Sequence, residues 1–297
     1  MNNVKGLGER MKEIKRFAVL GGDLRSAHLA AALAAGGDFV YAAGFEHCVL
    51  PGMVQRCTVE EALAQCDAAV LPLPVSRDGV HLFAPFAAQD TELSDHLAQV
   101  LAEKPVFCGV RDSLPQRDTW ATVRMIDYAA EEEFAVRNAV PTAEGAIQLA
   151  LEESDFTLCG ARCLVAGYGR IGQVLARLLK AFGAHVTVSA RKARDLAAIE
   201  GLGMRAVETA HIRDSGEYDV IFNTIPSLVF DHNTLMQCAQ HAILLELASA
   251  PYGIDANAAK QLNIPLVEAG GLPGKTAPRT AGEIIRRVIL RYMRMLR

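Results

Sequence analysis

Short apolar runs alternate along this chain with stretches whose apolar residues recur on a helical repeat. "RFAVLGGD" reads as a strand ending in a glycine turn, and "LRSAHLAAALAAGG" as a helix from the spacing of Leu29, Ala32 and Leu33. "FVYAAGF", "DAAVLPLP" and "KPVFCGV" are further short buried strands. "TVEEALAQC" has Thr58 and Glu61 in capping-box spacing, so a helix starts there. The second half repeats the pattern more cleanly. "ARCLVAG" is a strand, and the helix after it places Ile171, Val174, Leu175, Leu178, Leu179 and Phe182 on one face. "AHVTVSA", "YDVIFNTIP", "AILLELAS" and "IPLVEAGGLPG" follow as strands. The closing "RTAGEIIRRVILRYMRMLR" predicts a helix with a second capping box, Thr280 and Glu283. Its apolar stripe is Ile284, Ile285, Val288, Ile289, Tyr292, Met293 and Leu296.

Strands alternating with helices imply parallel sheets covered on both faces. The expected fold is therefore α/β, with two Rossmann-like parallel-sheet domains, an interdomain cleft, and a terminal helix returning to the first domain. Residues 1–140 with 280–297 form the substrate and catalytic domain, and residues 141–279 the nucleotide domain. At their junction stands "RNAVPTAEGAIQLALEES". Pro141 can end an extended segment and Thr142 can cap a bridging helix whose N-terminus faces the cleft. A plain connector is the other reading. The sequence shows no long repeat and no low-complexity tract.

Composition narrows the function classes. Hydrophobic residues make up 51% and charged residues 22%, which suits globular cores. The net charge of −4 gives no general attraction to nucleic acid or an anionic membrane, so an anionic ligand needs local arginines and backbone N–H groups. The seven cysteines are odd in number and form no CxxC pair, which fits free thiols in a reducing compartment and no zinc. "MNNVKGLGERMKEIKR" lacks the apolar core of a signal peptide, and no apolar run approaches the ~20 residues of a spanning helix. A cytoplasmic protein is expected.

The sharpest motif is Gly167-Tyr168-Gly169-Arg170-Ile171-Gly172, a GxGxxG between a strand and an apolar-striped helix. Its first glycine allows the tight turn, its second lets backbone approach a pyrophosphate, and its third lets helix and sheet pack closely. The helix N-terminus favours the phosphates. About 20 residues on, where NAD sites carry an acid, the chain reads Ser189-Ala190-Arg191-Lys192-Ala193-Arg194. Ser189, Arg191 and Lys192 can hold a 2′-phosphate, so NADP is expected over NAD; a solvated basic turn is the bland alternative. Asn223, Thr224 and Pro226 of "NTIP" and Ser249 of "LAS" end later strands and should flank the nicotinamide ring, or else serve as turns.

Weaker signals surround this one. "GGLPGKTAPRTAG" is too glycine-rich for a tight connector and could line the cleft with Lys275, or be a surface loop. Gly21-Gly22-Asp23-Leu24-Arg25 is another strand-to-helix turn, without GxGxxG. A second dinucleotide there is not expected, but Arg25 could hold a small carboxylate. Ser76, Arg77 and Asp78 of "LPLPVSRDG" are further polar candidates. No histidine follows His241, and no GxSxG or HExxH occurs, which argues against common hydrolase and zincin chemistry. The terminal helix carries Arg286, Arg287, Arg291, Arg294 and Arg297, yet packing onto the first domain is preferred to membrane-surface binding.

"GGDLR", "LPLPVSRDG", "NAVPTAEGAIQLALEE", "GYGRIG", "NTIPSLV", "LELAS" and "GGLPGKTAPRTAG" occur in the order seen in one family of oxidoreductases, the A-type subunits of dipicolinate synthase. The chain resembles that family from about Phe17 onward. The resemblance implies an NADP-linked oxidoreductase in the mother cell of a sporulating bacterium. It would convert 4-hydroxy-tetrahydrodipicolinate, or the dihydro acid derived from it, to dipicolinate, together with a second, flavoprotein-like subunit of dipicolinate synthase. A homo-oligomer is compatible with the sequence. For a ring with two carboxylates, Arg25 and Lys275 are the expected cationic partners, with Ser76 and Asp78 as neighbouring polar groups. Glu144 is the leading base, Asp23 the second, and Thr142 and Asn223 would orient the ring. A catalytically silent NADP-binding scaffold and a dehydrogenase of another small carboxylic acid are the alternatives.

Overall fold

A computed structural model of the chain describes residues 15–50, 53–214, 217–238 and 241–295. These fall into two units, Met1–Asn138 with Ala277–Arg297, and Ala139–Thr276. The first unit runs β1 (Arg16–Leu20), α1 (Leu24–Ala35), β2 (Phe39–Ala43), β3 (Gln55–Arg56), α2 (Val59–Gln65), β4 (Ala68–Val70), α3 (Asp95–Ala102), β5 (Val106–Cys108), α4 (Asp118–Thr122) and β6 (Met125–Asp127). The strands of its sheet pair in parallel, in the order β3-β2-β1-β4-β5-β6. This is the doubly wound arrangement, with its reversal of strand order between β1 and β4. The capping box at the start of α2 is present, with Thr58 accepting from the Glu61 N–H and Glu61 from the Thr58 N–H.

The C-terminal helix, Pro278–Met295, returns to this unit as expected. Ile285, Val288 and Ile289 join Leu29 and Leu33 in one buried cluster. A Cβ at Gly282 would stand 2.7 Å from both the Arg25 carbonyl oxygen and the Leu29 nitrogen, so the two helix backbones nearly touch there. The expected cap at Thr280 is not the start. The helix begins two residues earlier at Pro278, which is tolerated in a first turn, and Glu283 pairs with Arg279 at 3.3 Å. Leu296 of the expected stripe lies outside the described residues.

The second unit is led by α5 (Glu132–Glu153), whose first residues belong to the first unit. Then come β7 (Arg162–Ala166), α6 (Arg170–Ala181), β8 (His185–Ala190), α7 (Ala193–Gly201), β9 (Arg205–Glu208), β10 (Val220–Asn223), α8 (His232–Leu235), β11 (Ile243–Glu246), α9 (Ala256–Gln261), β12 (Leu266–Glu268) and α10 (Leu272–Thr276). The strand order β12-β11-β10-β7-β8-β9 is the same doubly wound order, reversing between β7 and β10. Each unit also carries its own copy of one clasp. Arg16, opening β1, donates its backbone N–H (3.0 Å) and Nη2 (2.6 Å) to Asp67, just before β4. Arg162, opening β7, donates the same groups to Asp219, just before β10, at 2.7 and 2.9 Å.

Two sequence expectations are corrected here. Thr142 caps nothing, because α5 is continuous from Glu132 and holds Pro141 inside it. The proline leaves the Arg137 carbonyl without its helical donor, but burial of Ala143, Ala146, Ile147 and Ala150 in the second core holds the helix through the defect. "GGLPGKTAPRTAG" is mostly helix rather than loop, since it contains α10 and the start of the C-terminal helix. Gly145 of α5 faces this segment. A Cβ there would lie 2.8 Å from Thr276 Oγ1 and 3.1 Å from Leu272 Cβ, so α5 and α10 pack backbone to side chain. Among the described residues, no helix is long and apolar enough to cross a membrane and no group of side chains could hold a metal ion.

Candidate functional site

The turn between β7 and α6 gives each of its three glycines a separate steric reason. Gly167 has φ +99°, where a side chain is strained, and a Cβ would stand 2.5 Å from Thr224 Oγ1. At Gly172 a Cβ would overlap the Gly167 carbonyl oxygen at 2.1 Å, so only glycine lets the helix sit this close to the strand. At Gly169 a Cβ would meet nothing within 4 Å. That open space lies where α6 begins, and its N-cap, Gly169, has no side chain to cap the helix. An anion can therefore reach the helix N-terminus directly, and Arg170 and Ile171 lead that first turn. The cradle fits a dinucleotide pyrophosphate.

The neighbouring strand ends hold the turn in place. Thr224 donates its hydroxyl to the Ala166 carbonyl at 2.8 Å and stacks over Gly167. Ser189 is fully buried, and its Oγ accepts the Gly167 N–H at 3.1 Å. Its expected contact with a 2′-phosphate is corrected accordingly, because the hydroxyl faces into the turn. Arg191 and Lys192, just past β8, are exposed. Arg194 pairs with Asp195 at 3.3 Å. The sequence reading missed Glu208, which ends β9 directly opposite Ala190 at the end of β8 and is exposed. Register alone reveals it.

Asn223 does not point at a ligand either. It is fully buried; its Nδ2 donates to Glu246 Oε1 (2.7 Å) and the Ile225 carbonyl (3.0 Å), while its Oδ1 accepts the Ile225 N–H (3.1 Å). These bonds shape the loop after β10 and tie it to Glu246 at the end of β11. Pro226 and Ser249, by contrast, are exposed beyond β10 and β11.

In the first unit the corresponding turn is closed by the protein itself. The Gly22 N–H donates to the Phe83 carbonyl at 2.7 Å, and a Cβ at Gly21 would lie 2.8 Å from the same oxygen. Arg25 is buried and bonded to Asp23, Nε to Oδ1 at 2.9 Å and Nη2 to Oδ2 at 2.7 Å, with Nη2 also on the Leu73 carbonyl. The pair neutralises itself, so Asp23 is corrected as a proton acceptor and Arg25 as an unpaired cation. Ser76 and Asp78 are likewise spent on their own loop. Ser76 Oγ accepts the Gly79 N–H, and Asp78 accepts the N–H groups of Val80 and His81 and bonds His81 Nδ1 at 2.7 Å. Those backbone and imidazole bonds hold the Asp78 carboxyl well below the usual range. Glu144 is exposed in mid-helix, Thr142 is buried, and Lys275 is exposed in the last turn of α10.

Residues 16–129 match the N-terminal domain of the dipicolinate synthase A-type subunit, and residues 137–258 match the D-isomer specific 2-hydroxyacid dehydrogenase NAD binding domain. The chain is 31% identical over 284 residues to the A-type subunit of dipicolinate synthase from Bacillus subtilis (strain 168), covering 94% of this chain and 95% of that one. It is similar to the crystal structure of the same subunit from Bacillus halodurans, with TM-score 0.83, 29% identity, and coverage of 94% and 97%. The B. subtilis structure follows with TM-score 0.80, 28% identity, and coverage of 95% and 96%.

Proposed function

The chain belongs to the family of dipicolinate synthase A-type subunits, and from that premise we propose that it oxidises a hydroxy-tetrahydro or dihydro form of dipicolinate to the aromatic diacid with NADP. The observation that carries this reading is the β7–α6 turn, where overlap at Gly167 and Gly172 and open space at Gly169 fit a pyrophosphate. Bound there, a nicotinamide cofactor supplies the two-electron oxidation. Exposed Arg191 and Lys192 support a 2′-phosphate. Pro226, Ser249 and the Thr224 turn support a nicotinamide beyond β10 and β11.

On the substrate side, exposed Lys275 is the open cation for a carboxylate. Arg25 has only Nη1 left to offer. Of the two carboxylates considered as bases, exposed Glu144 has uncommitted oxygens, whereas those of Asp23 are taken by Arg25. Aromatisation supplies the driving force, so modest base assistance suffices. A flavoprotein-like partner and a place in sporulation belong to the same reading.

The test is incubation of the purified chain, with and without that partner, with NADP and freshly generated hydroxy-tetrahydrodipicolinate. NADPH and dipicolinate absorbance should rise together. A chain that binds NADP tightly but oxidises nothing in either case is a scaffold, and the proposal falls.

A further inference from the structure

One buried carboxylate is not used by the chemistry above. Glu246 closes β11, is 4% exposed, and lies beside Asn223 of β10 in the parallel register. Its Oε1 accepts from Asn223 Nδ2 at 2.7 Å and the Ala248 N–H at 3.0 Å. Its Oε2 accepts the N–H groups of Gly253 and Ile254 at 2.8 and 2.9 Å. Glu246 therefore ties the loop after β10 to the loop after β11. The fit is tight: a Cβ at Gly253 would stand 2.3 Å from Asn223 Nδ2.

All four partners are neutral N–H donors, and none is a lysine or arginine. Such bonds orient an ionised carboxylate without cancelling its charge. A buried charge is costly to hold, and its field is screened less than one at the surface. The loops it anchors carry Thr224, Pro226 and Ser249, which flank the nicotinamide in the reading above. An oxidised nicotinamide ring is a cation, and the reduced ring is neutral. We propose that Glu246 is a specificity-determining residue whose buried negative charge makes the second unit select the oxidised dinucleotide over the reduced one. This rests on the cofactor reading given under the proposed function, and it suits an enzyme that must start each turnover from the oxidised form.

The test is calorimetric titration of the full chain with oxidised and reduced NADP, and with the NAD pair, with no substrate present. The parent should bind the oxidised form more tightly, by at least roughly threefold. Glu246→Gln should bring the ratio close to one, while Glu246→Asp, which keeps the charge, should retain most of the preference. A merely structural role would weaken both forms alike and leave the ratio unchanged. A parent that binds the reduced form as well or better overturns the proposal, as does an unchanged ratio in folded Glu246→Gln. If thermal melting shows that Glu246→Gln does not fold, the parent ratio and its retention in Glu246→Asp decide. Failure of the parent to bind either form removes the cofactor reading and this proposal with it, a result distinct from binding without preference.

Discussion

Arg191 is exposed immediately past the end of β8, and no acid closes that strand. A charge-assisted bond to a phosphate contributes about 1.5–3 kcal/mol, so Arg191→Ala should weaken NADP binding at least roughly tenfold. NAD affinity should stay nearly constant; titrating both cofactors checks this, and equal affinities in the parent would refute the NADP assignment. Glu208, across the ladder from Ala190, makes the comparison sharper, because an acid there suits an unphosphorylated ribose. Glu144→Gln should lower turnover by roughly 10²–10⁴ while NADP binding persists. A rate within threefold of the parent removes Glu144 as the base. At this scale the glycines of the GxGxxG were legible because sterics alone dictate them. Ser189, Asn223 and Glu246 were not. Alternation along a strand tells which face a residue takes, but a polar side chain turned into its own loop reads the same as one aimed at a ligand.

Apolar spacing predicts both α6 and the C-terminal helix, although Phe182, last in the α6 stripe, caps that helix and is exposed. Reading failed where a proline carries two meanings. Pro141 reads as a boundary from local chemistry alone, yet α5 passes through it, because burying four apolar residues of the next turns outweighs one missing hydrogen bond. Pro278 opens a helix that polar spacing had placed at Thr280. Two helix contacts then predict different outcomes for the same substitution. Gly282→Ala would press its methyl against backbone atoms of α1 at 2.7 Å, which cannot step aside, so it should destabilise by about 1–3 kcal/mol. Both variants gain about 1 kcal/mol of helix propensity, but Gly145→Ala meets the rotatable Thr276 hydroxyl first, so its loss should be smaller. Urea midpoints of the two variants should rank in that order.

Across the whole molecule one framework occurs twice, down to the arginine–aspartate clasp at the start of each sheet, although no sequence repeat announces it. The clasps should contribute to the acid limit of the fold, together with Asp78. Hydrogen bonds from Arg162 hold the Asp219 carboxyl well below the usual carboxylate range. Burial pushes Asp67 up, but the Arg16 side chain and the backbone N–H groups of Lys15 and Arg16 bring it below that range as well. A folded pKa below the unfolded one, about 4, gives stability that is complete at neutral pH and lost as pH falls through 4 toward the folded value. The urea midpoint should hold from pH 7 to 5 and drop below 4. Asp219→Asn should lower it at pH 7 and shrink the difference between pH 7 and pH 3; an unchanged difference would clear Asp219 of the effect. The repetition stops at the ligand edge, where the Phe83 carbonyl occupies the Gly22 N–H of the first unit and the second unit leaves its helix start open. A chain with two nucleotide-type folds should therefore bind one dinucleotide. Titration with NADP should saturate at a single equivalent per chain, and a second equivalent would mean that the loop bearing Phe83 lifts off its glycines.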